Sequence, residues 1–219
     1  MEAPRLMQIA PSTALKERRL RERAGDGFDS VPALREAVLL AQARGSLELA
    51  GLADDASALA KLRQAQAAVD RASPLGLKAL AHWHAAVTEF PSLFRATEAT
   101  RVEGPPPAPP GFIESRLRTL EHWLSVESAR DLKPAQAGAL ALARIVEVLP
   151  WDGANGRVAR LAASHVMVRA GGRPPVLAGA DAGRLEQALL AAWALQTEPL
   201  VRLLDEASER ALDAMLAAL

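Results

Sequence analysis

Two arginines three residues apart carry the clearest chemistry in this sequence. Arg157 and Arg160 follow the loop "PWDGANG" and lie on one stripe of the helix that the next residues predict. A guanidinium group can bind two phosphate oxygens at once, so this pair favours an anionic ligand. The alternative that spacing leaves open is that both arginines pair with nearby carboxylates of the protein. The loop itself contains no histidine, cysteine or serine that could act on a bound group.

The residues before these arginines predict a backbone site for the same kind of ligand. Gly153, Ala154 and Gly156 are small enough for a tight turn and for a ligand to approach the backbone amides. The helix should begin near Asn155, so that its free N–H groups and the positive end of its dipole face the loop. Asp152 has two interpretations, as the N-terminal cap of this helix or as a ligand of a metal ion.

The histidines form no catalytic or metal-binding pattern. His165 lies on the apolar side of the predicted helix, and we interpret it as a core residue. His82, His84 and His122 have no acid or second histidine at the spacing that catalysis or zinc binding requires. We therefore interpret these three as structural or surface residues.

Helices must position the loop, because apolar residues recur with helical spacing along most of the chain and β-branched runs are short. The segment 134–148, "PAQAGALALARIVEV", is apolar nearly all round, which is typical of a helix at the centre of a bundle. The amphipathic segment 198–217 would suit a partner chain or a dimer. The Pro-rich segment 102–111 must be extended or turn. We expect a mainly α fold of about eight helices around a buried central helix.

Composition excludes several classes of protein. The 219 residues include 26 Lys+Arg and 26 Asp+Glu, so no net charge attracts nucleic acid or an anionic membrane. Cysteine is absent, which rules out disulfides, thiolate metal sites and a cysteine nucleophile. No apolar run is long enough for a transmembrane helix, and the N-terminus does not resemble a signal peptide. We expect a cytoplasmic protein without nucleic-acid or membrane partners.

The stretch "LPWDGANGRVAR", 149–160, resembles the signature of the Fic (Fido) family, His-Pro-Phe-x-Asp/Glu-Gly-Asn-Gly-Arg-x-x-Arg. Three further segments are similar to family segments and occur in the same order. They are "SLFRATEATRV" before the family's β-hairpin flap, "PPPAPPGFIESRLRTLEHWL" after it, and "GRPP" at 172–175. The resemblance implies the family's fold over residues 30–219, with a flap region at 90–112, a motif loop at 149–160 and a short β-hairpin. Residues 1–29 are a separate polar segment.

The resemblance also implies what this chain has lost. Family members transfer AMP or a related group from a nucleotide to a protein hydroxyl, using the motif histidine as base and the motif acid to hold magnesium. Leu149 stands at the histidine position and Gly153 at the acid position, so neither a base nor the usual metal ligand is present. Ala154 replaces the first glycine of Gly-Asn-Gly. Asp152 is the neighbouring candidate for the metal.

A second family motif is similarly altered. "GSLELAGL" resembles the inhibitory-helix motif Ser/Thr-x-x-x-Glu-Gly/Asn, read here from Ser46 to Gly51 within the region 30–51. The resemblance implies that the motif glutamate would pair with Arg160, but Ala50 stands at that position. Glu48 lies two residues earlier, where a helix turns the side chain by about 200°. Arg160 is therefore predicted to lack the family's carboxylate partner.

We interpret the chain as a Fic-like protein that binds a nucleotide, ATP or another, or a different phosphate-containing ligand without standard AMP transfer. The predicted binding residues are Gly153, Ala154, Asn155, Gly156, Arg157 and Arg160. Magnesium would be an additional cofactor. Two alternatives remain: a transferase that works without the motif histidine, with Asp152 as its local candidate base, and a protein-interaction module without a ligand. A protein partner and a homo-oligomer are compatible with each interpretation.

Overall fold

The computed structural model describes residues 11–67, 73–125 and 131–219, so the first ten residues of the predicted polar segment lie outside it. Nine α-helices occur in these ranges: α1 Pro11–Ala24, α2 Pro32–Glu48, α3 Ala56–Ala67, α4 Leu77–Thr88, α5 Ile113–Ser125, α6 Pro134–Val148, α7 Asn155–Arg169, α8 Ala182–Trp193 and α9 Glu198–Ala217. The prediction of a mainly α fold is confirmed. The additional helix is α1, which forms within the predicted polar segment.

Helix α6 lies at the centre, as its sequence predicts. Its buried residues surround the helix, and it packs against α5, α7, α8 and α9. Small side chains allow this close packing: a Cβ atom on Gly138 would lie 2.6 Å from Met167 of α7, nearer than side-chain atoms approach each other. The antiparallel pair of α6 and α7 is therefore a closely packed frame, and residues 149–154 join the two helices at one end of it.

The apolar face of α9 is buried inside the chain, so its amphipathic pattern does not leave the free apolar surface that was predicted to suit a partner or a dimer. Leu203, Leu204 and Ala207 are at most 1% exposed and belong to the main core, while Leu212 and Met215 complete a second cluster with α1 and α2. Helix α9 packs against α1, α2, α6 and α8. The amphipathic pattern thus reflects packing within the chain.

The flap region, 90–112, forms no β-hairpin, which corrects the expectation of a short one. The chain runs without regular structure from residue 90 to the short 3₁₀ helix Pro110–Phe112, and no strand occurs in the ranges described above. Proline supplies no N–H group for a strand ladder, and five prolines fall within 105–110. Arginine side chains instead attach this segment to α6.

None of the described helices is long and apolar enough to span a bilayer.

Candidate functional site

The loop between α6 and α7 is closed by its own asparagine. The Asn155 side chain accepts a hydrogen bond from the Trp151 backbone N–H at 3.0 Å and donates one to the Trp151 carbonyl at 2.7 Å. Both ends of the loop have left-handed backbone, with φ of 51° at Leu149 and 60° at Ala154. Residues other than glycine are strained in left-handed backbone conformation. The two hydrogen bonds of Asn155 and the packing of Trp151 therefore stabilise the loop against that strain.

Asp152 does not cap α7, so that interpretation is wrong. The residue at the cap position is Ala154, which has no side-chain oxygen, and the helix begins at Asn155. The Asp152 side chain lies at the surface, because the turn at Ala154 separates it from the helix start. Among the residues that the structure describes, no cluster of three or more His, Cys, Asp or Glu side chains could hold a metal ion.

The start of α7 presents unused hydrogen-bond donors. The first bond within the helix runs from Val158 N–H to the Ala154 carbonyl at 3.1 Å. The N–H groups of Asn155, Gly156 and Arg157 precede it, and no group in the described ranges accepts from them. Free N–H groups and the positive dipole end make this helix start favourable for an anion.

Arg157 extends from α7 towards the end of α4. Its guanidinium donates to the Val87 carbonyl, in the last turn of α4, at 3.2 Å. Burial lowers the pKa of Arg157, and the negative charge of Asp55 opposes this change. The side chain lines a cavity of about 580 Å³ together with Asp152, Gly153 and Ala154 of the loop.

Arg160 extends in a different direction, to the end of α2. Its Nε donates to the Ser46 hydroxyl at 2.8 Å and its second guanidinium nitrogen to the Ser46 carbonyl at 2.7 Å. Gly156 leaves room for it, since a Cβ atom there would lie 3.1 Å from the guanidinium. Burial lowers the pKa of Arg160 to about 10, and the positive charge of Arg157 adds to this effect. Ser46 of the predicted inhibitory region thus binds Arg160, while Ala50 is exposed beyond the helix end.

Neither arginine forms an ion pair with a carboxylate of the described ranges. The alternative that Arg157 and Arg160 pair with internal carboxylates is therefore not what the structure contains. The two arginines also line different cavities. Arg160 borders one of about 460 Å³, whose other lining residues include Leu49, Arg101, Leu185, Leu189 and Trp193. The sequence predicted one site, and the structure places one arginine on each side of the start of α7.

A third arginine, which the sequence analysis did not single out, holds the flap region against the loop. Arg95 is 3% exposed, and its guanidinium donates to four carbonyl oxygens, those of Thr97, Ala108, Val148 and Leu149. Two of these carbonyls belong to the end of α6 and have no partner within the helix. The buried cation therefore fixes the turn at Leu149. The only signal in the sequence was an arginine in a segment that is otherwise mostly neutral.

Arg101 binds the same helix end from the other side of the flap region. It donates to the carbonyls of Val146 and Glu147 in the last turn of α6, and to that of Pro105. Its guanidinium also lies 4.2 Å from the ring centre of Trp193, a cation–π contact. Burial lowers the pKa of Arg101, and the charge of Glu147 opposes this. Arg101 consequently covers an aromatic face that the cavity of Arg160 would otherwise offer to a ligand.

His84 was also missed, since its partners are distant in sequence. Its ring stacks on Trp151 with centroids 4.6 Å apart and planes 12° apart. The Trp151 indole N–H donates to the Ser92 hydroxyl at 3.0 Å. His84 also lines the cavity of Arg157. His165, by contrast, lies in the core against Trp83, as predicted.

Known proteins share sequence with the part of the chain that contains this loop. Residues 74–167 match the family model described as Fic/DOC family. "Protein adenylyltransferase Fic" of Drosophila grimshawi is 31% identical over 123 residues, which are 56% of this chain and 25% of the relative. The protein of the same name from Nematostella vectensis is 29% identical over 124 residues, 57% of this chain and 29% of the relative. The chain thus spans about a quarter of the length of these curated relatives.

Solved structures agree on the fold. A Fic domain containing signaling protein from Bacteroides thetaiotaomicron has a TM-score of 0.76 at 17% identity, covering 94% of this chain and 96% of that one. Fic-1 from C. elegans has a TM-score of 0.70 at 19% identity and covers 94% and 73%. IbpAFic2 covalently tethered to Cdc42 has a TM-score of 0.58 at 14% identity and covers 89% and 77%. The resemblance to the Fic family and the expected helical fold are both confirmed.

Proposed function

Since the chain carries a Fic/DOC family domain, we propose that its motif loop binds the phosphate groups of a nucleotide without the family's standard transfer of AMP. One observation carries this proposal: Arg157 and Arg160 border the free start of α7, and within the described residues they donate only to uncharged oxygens. No carboxylate of the part of the chain that the structure describes is in contact with them to neutralise their positive charges. ATP is the first candidate ligand, because the curated relatives are adenylyltransferases.

Phosphate can replace the present partners of these arginines. A phosphate oxygen carries negative charge, so a guanidinium binds it with a Coulomb attraction that a neutral carbonyl or hydroxyl oxygen lacks, and it can do so through two parallel hydrogen bonds. Arg157 would exchange the Val87 carbonyl for phosphate oxygens, and Arg160 would exchange Ser46 in the same way. The N–H groups of Asn155 and Gly156 add donors that need no exchange. The gain from each exchange favours binding.

The cavity of Arg160 supports a nucleotide rather than a free phosphate. It has an apolar side formed by Leu185, Leu189 and Trp193, against which the flat ring of a base could pack. Arg101 covers the ring of Trp193. A base therefore either stacks on the Arg101 guanidinium or displaces it. Both arrangements leave the phosphates at the start of α7, which Arg157 and Arg160 both border.

This site lacks the base and the metal-binding acid that standard transfer of AMP requires. Leu149 has no atom that accepts a proton, and its backbone carbonyl is bound to Arg95 at 2.7 Å. Gly153 supplies no carboxylate for magnesium. Asp152 lines the same cavity as Arg157 and is the only acid of the loop, so a metal ion bound with the nucleotide would use it. We expect any such site to be weak, since one carboxylate is a small ligand set.

A transferase that works without the motif histidine is the second candidate. The observation in its favour is that Asp152 and Arg157 border one cavity, so a proton acceptor and a phosphate-binding cation are close together. Protein hydroxyls are the proposed acceptors, and a structural neighbour tethered to Cdc42 supports the proposal of a protein partner for this chain. The two candidates differ in turnover, not in ligand.

Radiolabelled ATP with magnesium distinguishes them. We expect the folded wild type to bind ATP but to label neither itself nor proteins of a cell lysate. Labelling that disappears in the Arg157→Ala variant would overturn the binding-only function and establish the transferase.

Restoring the motif provides the positive control. Leu149→His alone should give little labelling, and Leu149→His with Gly153→Asp and Ala154→Gly should give more, because base and metal act on one transition state. The new acid has space, since nothing lies within 4 Å of a Cβ atom on Gly153. Equal activity of the single and triple variants would show that the acid position is not impaired.

A further inference from the structure

The cavity of Arg157 is lined by a titratable side chain, His84, which has no role in the phosphate binding proposed above. His84 extends from α4, is 7% exposed and stacks on Trp151 of the loop. Its Nδ1 atom is buried and has no hydrogen-bond partner in the described ranges. A polar atom buried without a partner is unusual in a folded protein. The imidazole therefore has one nitrogen whose protonation can change with the charge of its surroundings.

Four charged residues line the cavity together with His84: Asp55 before α3, Lys61 of α3, Asp152 of the loop and Arg157 of α7. Glu89 at the end of α4 binds Lys61, and His165 of α7 packs against Trp83, the residue before His84. Helix α5 brings Glu121 near Gly76, at the far end of α4. Lys61 is paired with Glu89 at 2.7 Å, and Asp55 accepts from the Ala58 N–H at 2.8 Å. Arg157 is thus the cation of this group that has no ion pair with a described residue.

This environment favours the neutral form of the His84 imidazole. Burial lowers the pKa of His84, the charge of Arg157 lowers it further, and a hydrogen bond with the Gly153 backbone opposes both. An anion beside Arg157 would cancel the repulsion that Arg157 exerts. The same anion would attract a proton to the imidazole.

We propose that His84 takes up a proton when a phosphate-bearing ligand occupies the cavity of Arg157, so that ligand and proton bind together. This inference rests on the proposed phosphate site and adds its dependence on pH. The step is a simple protonation: the neutral imidazole accepts one proton from the solvent and becomes imidazolium, and no bond to the ligand is formed. His84 acts as a positioning residue, because it contacts Trp151 and so affects the ligand indirectly, through the motif loop.

The direction of the pH effect follows from linkage. The pKa of His84 is higher in the bound state than in the free state, so the additional affinity is present below the free-state pKa. It is lost as the pH rises through the bound-state pKa. A shift of one pKa unit corresponds to about a tenfold change in affinity. Between pH 8 and pH 6 we expect the affinity of the wild type, divided by that of His84→Gln, to rise by up to about tenfold.

Calorimetry with inorganic triphosphate tests this at pH 6, 7 and 8. Titrations in buffers of different ionisation enthalpy give the number of protons taken up with the ligand. We expect the wild type to take up a larger fraction of a proton than His84→Gln. His82→Gln is the matched control: His82 is exposed on the same helix two residues away, and this variant should equal the wild type. Protonation of triphosphate itself is common to all three proteins and cancels.

The outcomes are distinguishable. Equal proton uptake by the wild type and a folded His84→Gln overturns the role of His84 and leaves the phosphate site in place. No binding by the folded wild type overturns the phosphate site and this inference together. If His84→Gln does not fold, NMR titration of the wild type decides: the pKa of the His84 ring must rise on adding triphosphate, and an unchanged pKa overturns the inference.

Discussion

The arginines around the motif loop donate to neutral oxygens, whereas Arg173, beside α1, donates to carboxylates. Among the described residues Arg160 donates only to Ser46, a neutral residue, whereas Arg173 donates to the carboxylates of Asp29 and Glu17 at 2.9 to 3.0 Å. Burial lowers the pKa of Arg160 to about 10. Burial also opposes the charged form of Arg173, yet the two carboxylates raise its pKa. A chain without net charge can therefore keep positive charge uncompensated in one region by pairing its cations elsewhere.

The neutral partners of the loop region have a common origin. Arg157 binds the last turn of α4, Arg160 that of α2, and Arg95 and Arg101 that of α6. The carbonyls at a helix end lack partners in the helix and carry about half a negative charge in total. Such oxygens hold a guanidinium in place without cancelling its charge. Three helix ends thus maintain four cations around the start of α7.

The largest effect that we expect is a loss of stability when Arg95, in the motif-loop region, is replaced by alanine. Arg95→Ala leaves buried carbonyls without a donor and should lower the free energy of unfolding by about 3–4 kcal/mol. Urea denaturation followed by circular dichroism measures it. Arg18→Ala is the control, since the Arg18 side chain is 72% exposed, and it should change stability by less than about 0.5 kcal/mol. Equal effects of the two variants would contradict the structural role of the buried cation.

Arg173→Ala should affect stability alone. Losing the hydrogen bonds to Asp29 and Glu17 should cost about 1–2 kcal/mol of unfolding free energy, because the pair is only partly buried. The affinity for triphosphate should stay within about twofold, a change of less than about 0.5 kcal/mol. Denaturation and calorimetry on the same sample measure both. A large loss of affinity would mean that the two regions are coupled, and the comparison would fail.

Ser46→Ala should strengthen binding. The hydroxyl of Ser46 competes with a phosphate for Arg160, and removing it should raise the affinity for triphosphate by about fivefold, or about 1 kcal/mol. Ser208→Ala removes a hydroxyl that donates to the Arg173 carbonyl in the other region and should leave affinity unchanged. An unchanged affinity in Ser46→Ala would show that Arg160 stays bound to Ser46 when the ligand is present.

The smallest effect concerns the loop backbone. Ala154→Gly removes the strain of a left-handed alanine and should raise the free energy of unfolding by about 0.5–1 kcal/mol. The same substitution at Ala60, exposed within α3, should lower it by about 1 kcal/mol. Thermal denaturation of both variants shows whether the stability rises at Ala154 and falls at Ala60. A loss of stability at both positions would mean that Ala154 is not strained as its φ angle indicates.

Much of this arrangement follows from the sequence. The apolar pattern of 134–148 predicts the central helix, and the motif predicts where α7 begins and which arginines follow the loop. The sequence did not predict that Arg157 and Arg160 diverge into separate cavities, because the direction of a long side chain depends on its partners. Those partners, Val87 and Ser46, lie 70 and 114 residues away along the chain.

The errors have similar causes. Asp152 has a good capping side chain, but the turn at Ala154 moves it away from the helix start. The amphipathic α9 has a free face only if its neighbours are ignored. Arg95 and His84 could not be selected as functional neighbours of the loop, because only the fold brings them to residues 148–153. Local patterns predict elements, while contacts between distant segments decide the site.

Calorimetric titration with inorganic triphosphate at low salt tests the central claim most directly. If the uncompensated arginines form an anion site, the wild type should bind with a dissociation constant between about 10 μM and 1 mM. Arg157→Ala should bind at least about tenfold more weakly, since a charged hydrogen bond contributes about 1.5–3 kcal/mol. Added salt should weaken wild-type binding by screening the charges. No binding by the folded wild type below about 5 mM, or equal binding by Arg157→Ala, would contradict the account.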